Sequence, residues 1–375
     1  MEYSTLAFIG RFQPFHNGHK AVVDSALLKV NKVAIVIGSH DKAPDTRNPL
    51  TTRERIDLIA AVYPNEVANG RIKFVPQVDH TYNLDRWIAG VISGVESVAY
   101  SGKFEDDPVI GLIGHSKDES SFYLKCFPRW KSVEVPNVSI INATDIRERL
   151  YNDISVKDYM PKAAHKALMQ GDSRLFGDMA AEFRFNMAYQ KQFRMPSDEE
   201  LYEWCWDRGI AHVESCDIMP MLKDFMKDWK SPYLPTHKTV DAVVVQSGHL
   251  LLVKRGSAPG KGLWALPGGF LNQGETLLSG ALRELKEETK IDVPMKVLRG
   301  SYTKQQEFDD PHRSLRGRTL TTAFLFNLTS QERLPKIKGS DDAVKAKWVP
   351  LGEVMTKRNK LFEDHYDIIE TMTAI

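Results

Sequence analysis

The chain has 375 residues, of which 42% are hydrophobic, and its 50 Lys plus Arg against 49 Asp plus Glu leave a formal net charge of +1. Near-neutrality argues against a general surface for nucleic acid or anionic membrane, and the length predicts two domains with a connecting segment rather than one core. Three cysteines, Cys126, Cys205 and Cys216, form no CxxC pair, no basic apolar leader is present and no run approaches ~18 apolar residues, so a reducing, cytoplasmic setting is expected. Residues 6–9 form a short apolar strand, followed by Gly10-Arg11-Phe12-Gln13-Pro14-Phe15-His16-Asn17-Gly18-His19 and a helix over 20–29. A fully apolar strand spans 33–37, and further β-like runs lie at 72–78, 98–100 and 109–113, with a helix over 51–63. Strands alternating with helices imply an α/β domain with a parallel sheet covered on both faces, whose ligands bind beyond the carboxyl ends of the strands. His16 and His19 stand at such a strand-to-helix entrance, where both side chains can donate to a phosphate and the helix N-terminus adds N–H groups and partial positive charge.

The segment GRFQPFHNGH resembles the HxGH signature of the nucleotidyltransferase superfamily, enzymes that move an adenylyl or cytidylyl group from a nucleoside triphosphate and release pyrophosphate. Ile140-Ile141-Asn142-Ala143-Thr144-Asp145-Ile146-Arg147 resembles the superfamily's second phosphate motif, Ser-x-(Ser/Thr)-x-x-Arg, with Asn142 in place of the first serine. Taken alone, that segment reads as an ordinary N-cap with an exposed arginine. The resemblance implies that His16 and His19 hold the α and β phosphates of ATP while Arg147 holds the departing pyrophosphate. It further implies nucleotide contacts at Gly10, Arg11, Phe12, Gly18, Arg47, Asn142 and Thr144. Catalysis then rests on positioning and charge cancellation, with no covalent nucleophile from the protein. Gly114-His115-Ser116-Lys117-Asp118 and residues 79–87 resemble stretches of archaeal-type nicotinamide mononucleotide (NMN) adenylyltransferases, particularly those fused to a Nudix domain. That likeness adds Gly114, Lys117 and Asp118 to the ATP set and makes Tyr82, Asn83 and Trp87 the NMN contacts, with Trp87 stacking on the nicotinamide ring; core filling is the alternative for Trp87.

From 156 to about 229 the chain is helical in period and rich in aromatics and methionines, with helices read over 176–193, 197–206 and 219–229. Scaffold between domains is the leading reading, and a partner or self-association surface, hence a homo-oligomer, is the other. Ser231-Pro232-Tyr233-Leu234-Pro235 is a stiff boundary.

Beyond it, residues 239–246 form a strand, Ser247-Gly248 a turn, and 250–253 the return strand of a hairpin. β runs near 295–302, 319–327 and 345–349 precede helical sequence at the C-terminus. Between them, Gly269 is followed after five residues by Glu275 and after seven more by Arg283-Glu284-Leu285-Lys286-Glu287-Glu288. Leu277, Leu278, Ala281, Leu282 and Leu285 give a helix an apolar stripe, and Glu284, Glu287 and Glu288 at i, i+3 and i+4 gather three carboxylates on another face. Such a face is either simply solvated or prepared for a hard divalent ion such as Mg²⁺. The full spacing resembles the Nudix box, with one departure: Lys290 stands at the box's glycine, a change worth about 1 kcal/mol if the helix ends there with positive φ.

This resemblance implies an α/β/α fold with a mixed sheet. Glu284, Glu287 and Glu288 become Mg²⁺ (or Mn²⁺) ligands, with Glu284 and Glu288 catalytic, and Arg283 pairs with Glu275 to orient the loop. The base for the attacking water is left among Glu288, Glu307 and the acids of 309–310. Asp310-Pro311-His312-Arg313-Ser314-Leu315-Arg316-Gly317-Arg318 resembles a loop of Nudix enzymes acting on ADP-ribose, which makes Gly268, Gly269, Arg313, Arg316 and Arg318 the ADP-ribose contacts; an exposed basic loop is the alternative.

The expected architecture is therefore a doubly wound nucleotidyltransferase domain over 1–160, a helical connector over 161–232 and a Nudix hydrolase domain over 233–375. The expected function is NAD and pyrophosphate formation from ATP and NMN, plus Mg²⁺-dependent hydrolysis of ADP-ribose to AMP and ribose 5-phosphate. These small molecules are the expected partners, with no nucleic acid and no membrane. The competing readings are another adenylyl acceptor, and a Nudix domain that senses ADP-ribose or hydrolyses a different nucleoside diphosphate derivative.

Overall fold

The computed structural model describes residues 3–100, 108–114, 126–135, 142–171, 177–191, 236–329, 333–339 and 343–374. The first unit is built on five parallel strands in the order β3-β2-β1-β4-β5: β1 (Thr5–Gly10), β2 (Lys32–Ile37), β3 (Ile72–Pro76), β4 (Ile110–Gly114) and β5 (Lys131–Glu134). Its helices are α1 (Asn17–Lys29), α2 (Thr52–Val62), α3 (Pro64–Ala68), α4 (Leu84–Ala99), α5 (Ala143–Tyr151), α6 (Lys162–Gln170) and α7 (Asp178–Lys191). The pleat sorts β1 and β2 into two cores. Leu6, Phe8 and Ile35 pack with α1, α2, α5 and α6 on one face, while Ala7, Ile9, Ala34 and Val36 pack with α4 on the other. The sheet is thus doubly wound, and the carboxyl ends of β1 and β4 meet at its switch point.

One expectation fails here. Residues 98–100, read as β-like, finish α4, because Val91, Val95 and Ala99 at i, i+4 and i+8 continue one buried helical stripe. The described start of the connector packs on the first unit, with Ala164 and Leu168 of α6 and Ala180 of α7 buried in its core. The helices read over 197–206 and 219–229, and the boundary at 231–235, lie outside the described residues.

The second unit is a mixed sheet with the path β10-β11-β6-β7-β12, with β8 added to β7 and β9 to β6. The strands are β6 (His237–Gln246), β7 (His249–Arg255), β8 (Trp264–Ala265), β9 (Gly268–Phe270), β10 (Tyr302–Phe308), β11 (Thr319–Asn327) and β12 (Ala343–Pro350). The β6–β11 pair is parallel and the other pairings are antiparallel. Ser247 at φ 47 and Gly248 at φ 71 make the tight β6–β7 turn that the dipeptide predicts. Val240, Ala242 and Val244 pack against α8 (Leu277–Thr289), and Val243, Leu250 and Leu252 pack against α11 (His365–Thr373), giving three layers. The β run expected over 295–302 is instead α9 (Met295–Gly300), opened by Pro294 and anchored by the buried Leu298, with β10 starting only at Tyr302. The short α10 (Leu351–Met355) completes the unit.

Candidate active sites

The loop after β1 is shaped from below. A Cβ on Gly10 would lie 2.9 Å from the ring of Phe12, which is buried in the left-handed region at φ 53, so glycine is required for the chain to fold back on itself. Phe12 packs edge-on to the His19 ring at 4.9 Å, which makes it a support for the histidine. His16 caps α1: its Nδ1 accepts from Gly18 N at 3.1 Å, and its own N–H donates to His19 Nδ1 at 3.4 Å. With both Nδ1 atoms accepting, the neutral rings carry their protons on Nε2. The rings lie 3.8 Å apart at the positive end of α1, on the carboxyl edge of β1. This is a pair of oriented donors, suited to phosphate oxygens.

Three arginines converge on the same rim. Arg147 is buried and donates to Gln13 O at 2.7 Å, Ala143 O at 3.1 Å and Thr144 Oγ1 at 3.1 Å; burial, with further lowering by Arg11 and Arg47, brings it to about 10. Asn142 caps α5, accepting from Thr144 N at 2.8 Å and Asp145 N at 3.1 Å, so it serves the helix end that presents Thr144 and Arg147. Arg47 is held by its own loop, where Arg47 N donates to Asp45 Oδ1 at 2.8 Å, and by the second unit, where Nη1 donates to His312 O at 2.7 Å. Gly18 is buried in the first turn of α1, Gly114 ends β4, and Lys117 and Asp118 lie outside the described residues.

Sequence reasoning missed Arg55. It is almost fully buried in α2 and donates to Arg11 O at 2.8 Å, Gly38 O at 2.5 Å and Ser39 O at 3.1 Å, tying the ends of β1 and β2 together. The Thr51–Glu54 reciprocal cap that starts α2 is the local signal that fixes its helix, but nothing local shows where the guanidinium reaches.

A cavity of about 560 Å³ opens between the two units, lined on the first by Arg11, Ser39, Arg47, Asp79 and Trp87. Of the expected NMN contacts, Trp87 lines this cavity while also packing against the sheet's second core. Asn83 is spent as the N-cap of α4, accepting from Arg86 N at 3.0 Å. Tyr82 points across the domain boundary: its hydroxyl donates to Asp364 Oδ2 at 2.5 Å and its ring meets Phe308 at 4.9 Å. Tyr82 therefore bridges the two units through its hydroxyl and its ring.

The second unit's cavity, about 330 Å³, lies over β9 and the acidic helix. Gly268 and Gly269 line it: a Cβ on Gly268 would run into the backbone carbonyl of Val240, which cannot give way, and one on Gly269 would push the Glu284 carboxylate, 2.6 Å away, out of its place. Arg283 grips Glu275 with two bonds, Nε to Oε2 at 3.0 Å and Nη2 to Oε1 at 2.7 Å, and holds that carboxyl down at about 2. Its Nη1 also reaches Glu284 Oε1 at 2.8 Å and Glu287 Oε2 at 2.9 Å. Glu288 turns the other way, accepting from Gly268 N at 3.0 Å, and burial reinforced by Glu284 and Asp241 pushes it up to about 8.

Among the described residues, no three His, Cys, Asp or Glu side chains are already gathered as a metal cage. Glu284 and Glu287 share Arg283, while Glu284 and Glu288 flank the two glycines. The donor set nevertheless fits a hard divalent cation. All its donors are carboxylate oxygens, and burial disfavours the charged forms of Glu284 and Glu288 until a cation offsets it.

The basic loop divides three ways. Arg313 and Arg316 line the cavity, but Arg313 is buried in a two-bond pair with Asp364 at 2.9 Å each, and Arg316 sits over the Phe270 ring at 5.2 Å. Arg318 turns away and donates to Asp309 O at 2.6 Å. Arg255, unforeseen from sequence, lines the cavity over the Phe362 ring at 3.9 Å. The carboxylates in the cavity are Asp241, Glu288 and Glu363. Glu307 pairs with Lys238 at 2.8 Å on exposed β10, and Asp310 faces the interdomain cavity instead.

A Cytidylyltransferase-like family model matches residues 7–149, and a NUDIX domain model matches residues 235–372. Over 185 residues, 49% of this chain, the sequence is 34% identical to a nicotinamide/nicotinic acid mononucleotide adenylyltransferase of Acinetobacter baylyi and covers 95% of that protein. Over 138 residues, 37% of the chain, it is 35% identical to an ADP-ribose pyrophosphatase of Methanocaldococcus jannaschii, covering 73% of it. Both halves match together in the crystal structure of a bifunctional NMN adenylyltransferase/ADP ribose pyrophosphatase from Francisella tularensis, at 32% identity and TM-score 0.82 over 99% of each chain. A second structure of that protein, complexed with AMP and Mn ion, matches at 31% identity and TM-score 0.82, again over 99% of each chain.

Proposed function

This chain belongs to the bifunctional NMN adenylyltransferase/ADP-ribose pyrophosphatase family, and on that premise we propose which residues carry each reaction. The N-terminal site transfers the adenylyl group of ATP to NMN, giving NAD and pyrophosphate. The C-terminal site hydrolyses ADP-ribose to AMP and ribose 5-phosphate. The observation that carries the reading is the match over 99% of each chain to the bifunctional protein from Francisella tularensis.

In the transferase, His16 and His19 present Nε2–H donors to the phosphate oxygens of ATP at the positive end of α1. Arg147, fixed by Gln13 O and Thr144 Oγ1, meets the charge that collects on departing pyrophosphate, and Arg11 and Arg47 complete the cationic rim. Trp87 supplies the flat apolar wall for the nicotinamide ring.

In the hydrolase, Glu284, Glu287 and Glu288 would hold Mg²⁺ or Mn²⁺, which would supply charge neutralisation at the diphosphate and a lowered pKa for the attacking water. Glu288 is also the best-placed proton acceptor of the sequence candidates, being the one that lines the cavity. Arg283 clamps the loop through Glu275, and Gly268 and Gly269 let substrate and strand approach the carboxylates closely. Arg255 and Arg316 stand ready for diphosphate oxygens. Among the described residues no helix is long and apolar enough to cross a membrane, and we place the protein in the cytoplasm on its cysteine usage.

The test is to incubate the full chain with ATP and NMN, and separately with ADP-ribose and Mg²⁺, and to separate the products. Dinucleotide in the first and AMP in the second are expected. ADP-ribose bound without AMP release would make the second site a sensor.

A further inference from the structure

The interdomain cavity has two owners. The segment 79–83, between β3 and α4, is tied to its own domain at Asp79, whose Oδ1 accepts from Ser39 N at 3.0 Å. Its middle is tied to the other domain. Thr81 Oγ1 donates to Asp367 Oδ2 at 3.3 Å and Tyr82 OH to Asp364 Oδ2 at 2.5 Å, and on α4 itself Arg86 pairs with Glu370 at 2.8 Å. Asp364 and Asp367 are buried and face the cavity, each also held by an arginine of its own domain, Arg313 and Arg358. On the facing wall, Arg47 is braced by the carbonyl of His312. The Tyr82 hydroxyl meets a buried carboxylate that the buried Arg313 also holds, so the contact fixes geometry as well as joining the domains. Trp87 lies on the first turn and a half of α4, so the clamp on 81–86 sets where its indole stands in the cavity.

From this arrangement we propose that the C-terminal domain builds part of the transferase's acceptor pocket, with Asp364 a positioning residue that acts through Tyr82 on the segment leading to Trp87. The proposal rests on the adenylyltransferase reading of the first site. It makes the hydrolase fold a structural subunit of the other enzyme's mononucleotide site, in addition to its own chemistry.

The experiment uses the full chain with Tyr82→Phe, Asp364→Asn and the double variant, measuring dinucleotide synthesis while NMN and ATP are varied in turn. Each single variant is expected to raise KM for NMN by about threefold or more. KM for ATP and kcat should stay within about twofold of wild type, because the phosphate rim is untouched. The double variant should be no worse than the worse single one, since both remove the same contact. An unchanged KM for NMN in folded Tyr82→Phe would overturn the proposal, leaving the contact as domain adhesion. Additive losses would also overturn it, showing that Tyr82 meets the nucleotide directly. Where Asp364→Asn fails to fold because Arg313 is left unpaired, Thr81→Val cuts the neighbouring tie to Asp367 and must show the same selective rise in KM for NMN. A wild-type chain that makes no dinucleotide at all rejects the transferase reading itself, a result distinct from any ratio between variants.

Discussion

Lys290 ends α8 at φ 45 and ψ 32, the left-handed cap that the glycine of the Nudix box normally occupies. The departure noticed in the sequence is thus a backbone cost and nothing more, partly offset because Lys286 Nζ donates to Ile291 O at 2.7 Å and Val293 O at 2.6 Å just beyond the helix. Lys290→Gly should raise stability by about 0.5–1 kcal/mol, read as a higher midpoint in denaturant, with hydrolysis unchanged. His365 offers a pH test. Its Nδ1 accepts from Leu266 N at 2.8 Å, and burial depresses its pKa, so the folded chain keeps the ring neutral while the unfolded chain protonates near its usual value. The unfolded state therefore takes up the proton first, and this stability is present above about pH 6.5 and lost as pH falls towards the lower folded value. Denaturant midpoints measured across that range should slope less in His365→Asn than in wild type. Equal slopes would show that His365 does not govern the effect.

Among the elements, α8 shows how a local spacing becomes a site. Its apolar stripe is read from period alone, yet the partition of its acids depends on Arg283, which collects Glu275, Glu284 and Glu287 and leaves Glu288 to the Gly268 N–H. A lysine keeps the charge but not the two-pronged grip, so Arg283→Lys should lower ADP-ribose hydrolysis by about 10–100-fold while synthesis of dinucleotide continues. Comparable rates in variant and wild type would reduce the clamp to a surface ion pair. Helix α4 teaches the opposite lesson. Its last residues look like a β run because Val98 and Tyr100 suit either structure, and only the packing of Val91, Val95 and Ala99 on the sheet decides for helix. Residues 295–300 are short and mix apolar Met295, Val297 and Leu298 with Lys296 and Arg299, a pattern that suits either structure, and in the helix only Leu298 is buried.

At the scale of the molecule the proposed residue roles predict that the two chemistries separate, even though the domains share a wall. His19→Ala removes one oriented donor on the transferase rim and should abolish dinucleotide formation while ADP-ribose hydrolysis persists. Glu288→Gln should do the reverse. Loss of both activities in either folded variant would contradict two independent sets of reacting groups. The shared wall is narrow: Arg313 and Glu363 line both cavities, and Arg313 reaches Tyr82 through Asp364.

The two motifs and the order of elements suffice for the reaction classes and for the parallel and mixed sheets, because each motif depends on residues close in the chain. HNGH needs one strand-to-helix turn, and the acidic box needs one helix with the glycines before it. Arg55, Arg255 and the interdomain contact of Tyr82 were not legible, since their partners are set by packing between distant elements. Asp364 lies 282 residues beyond Tyr82, and no periodicity or spacing reports a contact across that separation. The contact of Tyr82 with Asp364 belongs to the tertiary structure, because burial at the domain boundary joins groups that the chain keeps apart.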